Sequence, residues 1–402
     1  MSSARPSDTY SPLYFLASLG AGGLTVTFFM YLMFWVPHPG RPVPLLSDVL
    51  TVFDTGPVAL KFAAGLAMLG IAAFAALNIH SLIWNLRTYA AFRQTDGYRA
   101  LMQSNGQSAT LAMPLALAMT VNALFIVGLV FVPGLWGVVE YLFPLAMLAF
   151  LAIGGLALAQ IGNFLGRALT HPEAFSVEGH NSFAQMMPAF ALSMVAVGLA
   201  APAAMSHTPA VIGLSLVLST FFAVAAIIYA LFAANTGLNA MQTHGTAREA
   251  GPTPMVIVPI KTVLGILSLR QTHGLGNLAD SHVVASDTFL FLTRLLSVQL
   301  VFLGLGLVVL RRQTYFADFV FGNKTSPGSY ALVCPGVALS VLTHFWINKG
   351  LVGAELLTKF SPAYWGLTCV ALVLQWTMIA LVLRLNRQHF GPRKLATAVP
   401  AE

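Results

Sequence analysis

Residues Ala109–Val121 read A-T-L-A-M-P-L-A-L-A-M-T-V, an apolar helical stretch that carries Pro114. Related text returns at Phe183–Met194 (F-A-Q-M-M-P-A-F-A-L-S-M) and at Ser329–Val341 (S-Y-A-L-V-C-P-G-V-A-L-S-V). A looser copy, Thr253–Ile266, reads T-P-M-V-I-V-P-I-K-T-V-L-G-I. The prolines fall at 114, 188, 259 and 335, so the gaps are 74, 71 and 76 residues. A period that regular marks an internal repeat. Each period holds two hydrophobic stretches, which makes the unit a helical hairpin with a proline in its first helix.

The rest of the chain has the same character. Of 402 residues, 57% are hydrophobic and 8% charged, against roughly 25% charged in an average soluble domain. Too few charges remain to cover a soluble surface, so an all-α polytopic membrane protein is expected. A helix needs about 20 apolar residues to cross a bilayer. Ten stretches qualify: roughly Leu13–Val36, Val58–Leu86, Ala109–Val132, Gly137–Leu165, Phe183–Met205, Ala210–Leu238, Thr253–Leu269, Thr288–Leu310, Ser329–Ile347 and Ala363–Leu385. The layout is a cytoplasmic segment over 1–12, one transmembrane domain over 13–385 and a basic tail over 386–402. The first ten residues are polar and lack a signal-peptide core.

Lys and Arg divide unevenly between the two sides. Thirteen fall on the side of the termini, five (Arg41, Lys61, Arg270, Lys349, Lys359) on the other, and Lys261 and Arg294 within spans. Positive residues concentrate in cytoplasmic loops, which places both termini in the cytoplasm, in a bacterial-type inner membrane. The formal charge of +7 therefore needs no nucleic-acid partner. Cys334 and Cys369 both lie in apolar spans and form neither a disulfide framework nor a metal pattern.

Interior prolines favour the odd spans: Pro114, Pro188 and Pro202, Pro254 and Pro259, and Pro335, with Gly20, Gly22 and Gly23 at comparable depth in the first. Among even spans only the fourth has one, Pro144. Proline removes a donor and kinks a helix. Freed carbonyls at membrane depth are tolerated where protein or a water-filled cavity satisfies them. The expectation is an inner ring of kinked odd helices around a central pore, with Gly22, Pro114, Pro188, Pro259 and Pro335 at the bends, and an outer ring facing lipid.

In this architecture, and in motifs such as Met113-Pro114, Met187-Pro188 and Cys334-Pro335, the chain resembles the tellurite-resistance and slow-anion-channel family, also called the voltage-dependent anion channel and dicarboxylate transporter family. The likeness covers about Leu13 to Leu385. It implies five hairpins, an inner ring of odd helices, cytoplasmic termini and, by resemblance only, a homotrimer. Family members often carry a phenylalanine gate beside the ninth-helix kink. Here that neighbourhood reads Leu332-Val333-Cys334-Pro335-Gly336, so Phe190 or Phe345 would fill the role, or the gate is absent.

A few residues carry candidate chemistry. Lys261 sits two residues after Pro259 in an odd helix. A charge at membrane depth costs about 2.5–3.5 kcal/mol on insertion scales and tends to face a cavity; this one would attract an anion, or else snorkel to an interface. Cys334 precedes a kink and would line the path, be oxidised or bind a soft substrate, or else be an inert buried thiol. His344 and His80 are candidate proton sites, with hydrogen bonding to neighbouring helices as the alternative. Phosphate-binding loops, nucleophile elbows, H-E-x-x-H and CxxC are all missing from the sequence, so neither an enzyme nor a bound cofactor or metal is expected. The reading is an anion channel or passive transporter for a small anion. The alternatives are a membrane-embedded redox protein using Cys334 on sulfur or selenium compounds, and a proton-coupled anion exporter.

Overall fold

The computed structural model describes residues 5–170, 182–279 and 284–391. The expected basic tail lies outside the described residues from 392 onward, as do 280–283 of the loop expected after the seventh span. Among the described residues the chain is helical and holds no strand. Ten helices among the described residues are long and apolar enough to cross a membrane: Pro12–Trp35, Val58–Phe92, Asn105–Phe131, Leu135–Thr170, Phe183–Met205, Pro209–His244, Arg248–Leu278, Ala285–Arg312, Pro327–Val352 and Pro362–Phe390. They are called the first to tenth spans below.

Odd and even spans differ in burial. Within the most apolar stretch of each odd span, from 50% (seventh) to 94% (fifth) of residues are buried, against at most 33% in any even span. The even spans turn large apolar side chains outward, among them Phe62, Leu145, Val217, Val301 and Val373. With water as neighbour such a surface would be unstable; with lipid tails it is matched. Their inward faces form narrow stripes. In the second span the buried residues are Ala64, Ala67, Gly70, Ile71, Ala75, Asn78, Leu82, Asn85 and Tyr89, mostly three or four apart, as one side of a helix requires. Each odd span also touches two other odd spans, in the order first, third, fifth, seventh, ninth and back to the first.

Close packing rests on glycines and on polar staples. The ring of Phe28 lies over Gly70, that of Phe150 over Gly198 and that of Phe222 over Gly154, in each case where an added methyl would overlap the ring. Asn78 of the second span donates to the Ser18 carbonyl (2.8 Å) and hydroxyl (3.0 Å), while the Ser18 hydroxyl donates to the Asn78 carbonyl (3.0 Å). Asn85 donates to the Tyr14 carbonyl (3.1 Å). In the fifth span the α-helix Met187–Leu199 breaks and resumes at Ala201–Met205. Ser215 repairs the break, donating to the Leu199 carbonyl (2.6 Å) and accepting from the Ala203 amide (2.9 Å).

The repeated prolines sit where a 3₁₀ segment passes into α-helix. Four odd spans begin with a 3₁₀ segment and then turn α-helical at Ala112, Met187, Ile257 and Val333. Pro114, Pro188, Pro259 and Pro335 each fall within the first three residues after that change. The first span makes the same change after Tyr14. A proline at this point has a 3₁₀ turn and not a regular α-turn behind it, and its fixed φ suits the start of the α-helical part. The period thus records where the α-helical part of each of these spans starts.

Candidate functional site

A cavity of about 890 Å³ lies among the odd spans and takes lining residues from all five. The first span contributes Gly20, Gly23 and Met30, the third Met119 and Asn122, the fifth Phe190 and Met194, the seventh Pro259, Thr262 and Arg270, and the ninth Cys334, Val341 and Phe345. Side chains of the fourth and eighth spans, including Phe143 and Phe291, also line it, and the exposed Leu124 and Leu145 carry the lining out to the surface beside the fourth span. At 1.5 Å per residue, the run from Pro259 to His273 gives a depth of about 20 Å. On the odd spans the lining starts no nearer the N-terminal ends than Leu19, Met119, Phe190, Pro259 and Cys334. Below that level Phe15, Leu115, Met186 and Tyr330 are buried. The cavity is therefore closed toward the N-terminal ends of the odd spans and open toward their C-terminal ends, with a side opening beside the fourth span.

Charge collects at the open end. Arg270, His273, Lys349 and Asp287 all line it. His273, Asp287 and Lys349 are exposed there, whereas Arg270 is partly buried. The Arg270 Nη1 donates to the Val197 carbonyl (2.7 Å), just before the break in the fifth span, and Arg270 forms no ion pair among the described residues. Lys349 lies on a π-helical turn, Trp346–Val352, the kind of irregularity often found at functional sites. It stands close enough to His273 and Lys359 for its charge to act on both. Burial first, and the Lys349 charge second, hold the Lys359 ammonium below the usual lysine range. The deeper wall is apolar apart from Asn122, Thr262, Ser268 and Cys334.

The sequence candidates scatter. Pro259, Phe190, Phe345 and Cys334 line the cavity, Cys334 at its deep end. Pro114, Pro188 and Pro335 are buried but are not among the lining residues. Gly22 faces Met119 and Asn78 instead, while its neighbours Gly20 and Gly23 reach the cavity. Lys261 is half-buried and is not among the lining residues. His80 is exposed on the second span. His344 is fully buried, packed against Tyr31, Phe34 and Trp35, with no hydrogen-bond partner for either ring nitrogen among the described residues. Cys334 and Cys369 are both free thiols, the second exposed.

Arg270 and His273 escape sequence reasoning for a clear reason. By hydropathy the seventh span stops at Leu269, because Arg270, Gly274 and Gly276 follow; in the fold its helix continues to Ala279. Gly274 is there for packing: a Cβ would lie 2.8 Å from the Cβ of Ala203 and 2.9 Å from its carbonyl oxygen. Gln271 adds donations to Ser219 and Thr220 (2.9 Å each). These contacts carry the helix past its apolar stretch and set Arg270 in the cavity wall. Compared with family models, curated proteins and solved structures, the chain matches none.

Proposed function

We propose that this protein is an anion channel or passive transporter, built as five helical hairpins whose odd members surround a central path through the bilayer. The contrast in burial between odd and even spans supports that arrangement, as does the closed order of contacts among the odd ones. The observation that carries the anion reading is the cavity lined by every odd span, with Arg270, His273 and Lys349 gathered at its open end. Cationic linings of this kind select anions. The tellurite-resistance and slow-anion-channel architecture is the family reading this proposal adopts. With it come a trimer, cytoplasmic termini and a bacterial-type inner membrane.

On that orientation the cationic mouth faces away from the cytoplasm and draws anions in from outside. The sparse carboxylates of the spans leave little with which to build a proton relay. His80 is exposed on the second span and His344 is buried outside the cavity lining, so neither gives the exporter reading a proton site in the path. Cys334, on which the redox reading rests, lines the deep end of the cavity and is equally compatible with a passive path. The test is flux into proteoliposomes under gradients of chloride, nitrate, sulfite or a small carboxylate. Anion-dependent, saturable or voltage-driven flux is the expected result. Liposomes no leakier than protein-free ones, for every anion and either polarity, overturn the proposal.

A further inference from the structure

We infer that the anion held by this cavity is an amphipathic organic monoanion, a carboxylate with a hydrocarbon body, rather than a bare inorganic ion. The inference rests on the anion reading above and narrows it. Its basis is how polarity is distributed along the cavity. The charged groups stand at the mouth, while the wall beneath them is Met30, Ile126, Met194, Val263, Val337 and Val341. A small inorganic ion descending that wall sheds its water and meets few replacements, which is costly. A hydrocarbon body gains from the same wall, about three- to fourfold in affinity for each buried methylene.

The head-group end fits a carboxylate. A guanidinium offers five donors in a planar fork, and Arg270 spends one on Val197. The remainder match the two oxygens of a carboxylate better than a spherical ion. Lys349 adds a second cation and Asp287 a carboxylate at the same mouth, so with His273 neutral the group carries a net charge of one. That balance suits a monoanion and disfavours a dianion. The volume of about 890 Å³ lies in the range of pockets that enclose drug-sized molecules. The methionines give the wall a compliant surface for varied chains.

The test uses the full-length protein in lipid nanodiscs. Butanoate, hexanoate and octanoate are titrated by calorimetry, with chloride, nitrate and 1-octanol as controls. Affinity is expected to climb about three- to fourfold per methylene, and octanoate is expected to outcompete nitrate. Lys349→Gln should weaken octanoate by about tenfold while leaving 1-octanol binding unchanged. Val341→Thr, which places a hydroxyl on the wall, should weaken octanoate more than butanoate and so flatten the chain-length slope. An affinity independent of chain length, or octanoate binding that Lys349→Gln leaves untouched, overturns the inference. Proteoliposomes that pass chloride or nitrate but show no carboxylate binding would also overturn it while leaving the anion path standing. A protein that neither binds nor passes any of these anions defeats both.

Discussion

Replacing Pro335 by alanine separates two accounts of the repeated prolines. In the structure Pro335 is the third residue of the α-helix that begins at Val333. Three terms then compete. The new N–H gains at most one hydrogen bond, worth about 0.5–1.5 kcal/mol. The unfolded chain gains freedom worth about 0.4–1 kcal/mol. Loss of the buried ring removes about 1 kcal/mol of packing. The first favours the variant and the other two oppose it, so the net change stays within about 1.5 kcal/mol of zero. A mid-helix proline costs about 3 kcal/mol, so its removal from a genuine central kink would stabilise by roughly that amount. Reversible unfolding in mixed micelles measures the difference, with Pro188→Ala as a repeat and Leu339→Pro as a positive control. Leu339 lies well inside the same helix, and the control should destabilise by about 3 kcal/mol or more. A gain near 3 kcal/mol in Pro335→Ala would refute the helix-start assignment.

Other consequences can be checked separately. Gly198→Ala forces a methyl into the ring of Phe150 and should destabilise by about 1–3 kcal/mol, seen as a lower melting temperature that Phe150→Leu partly restores. Asn78→Ala removes both donations to Ser18 and should cost about 1 kcal/mol in the same unfolding assay; an unchanged midpoint would mean the staple contributes nothing. Lys349→Gln should cut anion flux by about tenfold, whereas Lys261→Gln, which alters no residue of the cavity lining, should leave it within twofold. Cys334→Ser should retain flux, and added thiol reagent should label the wild-type residue slowly, because Cys334 is a buried thiol at the closed end.

The spans were legible because lipid demands one thing of every helix that crosses it: enough consecutive apolar residues. The ends were less so. The sequence ends the second span at Leu86 and the tenth at Leu385, but their helices run to Phe92 and Phe390. Hydropathy reports where apolar residues stop, and a helix continues beyond that point wherever its backbone bonds and packing persist. Between the first two spans, the Pro- and Gly-rich stretch conceals a helix, Leu46–Thr55, with Asp48 accepting from the Leu45 amide (2.8 Å) and paired with Arg41. The Asp three residues into an apolar-periodic run was the available signal. The π-helical turn carrying Lys349 left no comparable trace.

The proline period shows why a pattern can be read correctly and its meaning missed. Regular spacing establishes that one structural device recurs, but proline has two roles in helices, and spacing does not distinguish them. What separates them is the position of the 3₁₀-to-α change, set by tertiary packing. Ser104, Ser182 and Ser326 each accept from a backbone amide two residues on, at the start of the 3₁₀ segments of the third, fifth and ninth spans. A serine six to ten residues before its proline was therefore the missing half of the signal, marking a capped entry. The same logic moves attention from Lys261 to Arg270. A helix that enters at Thr253 and is held by packing to Ala279 carries its cation to the far end of the cavity. On the transport proposal, an apolar wall with charge at its rim says more about the cargo than the position of the prolines does.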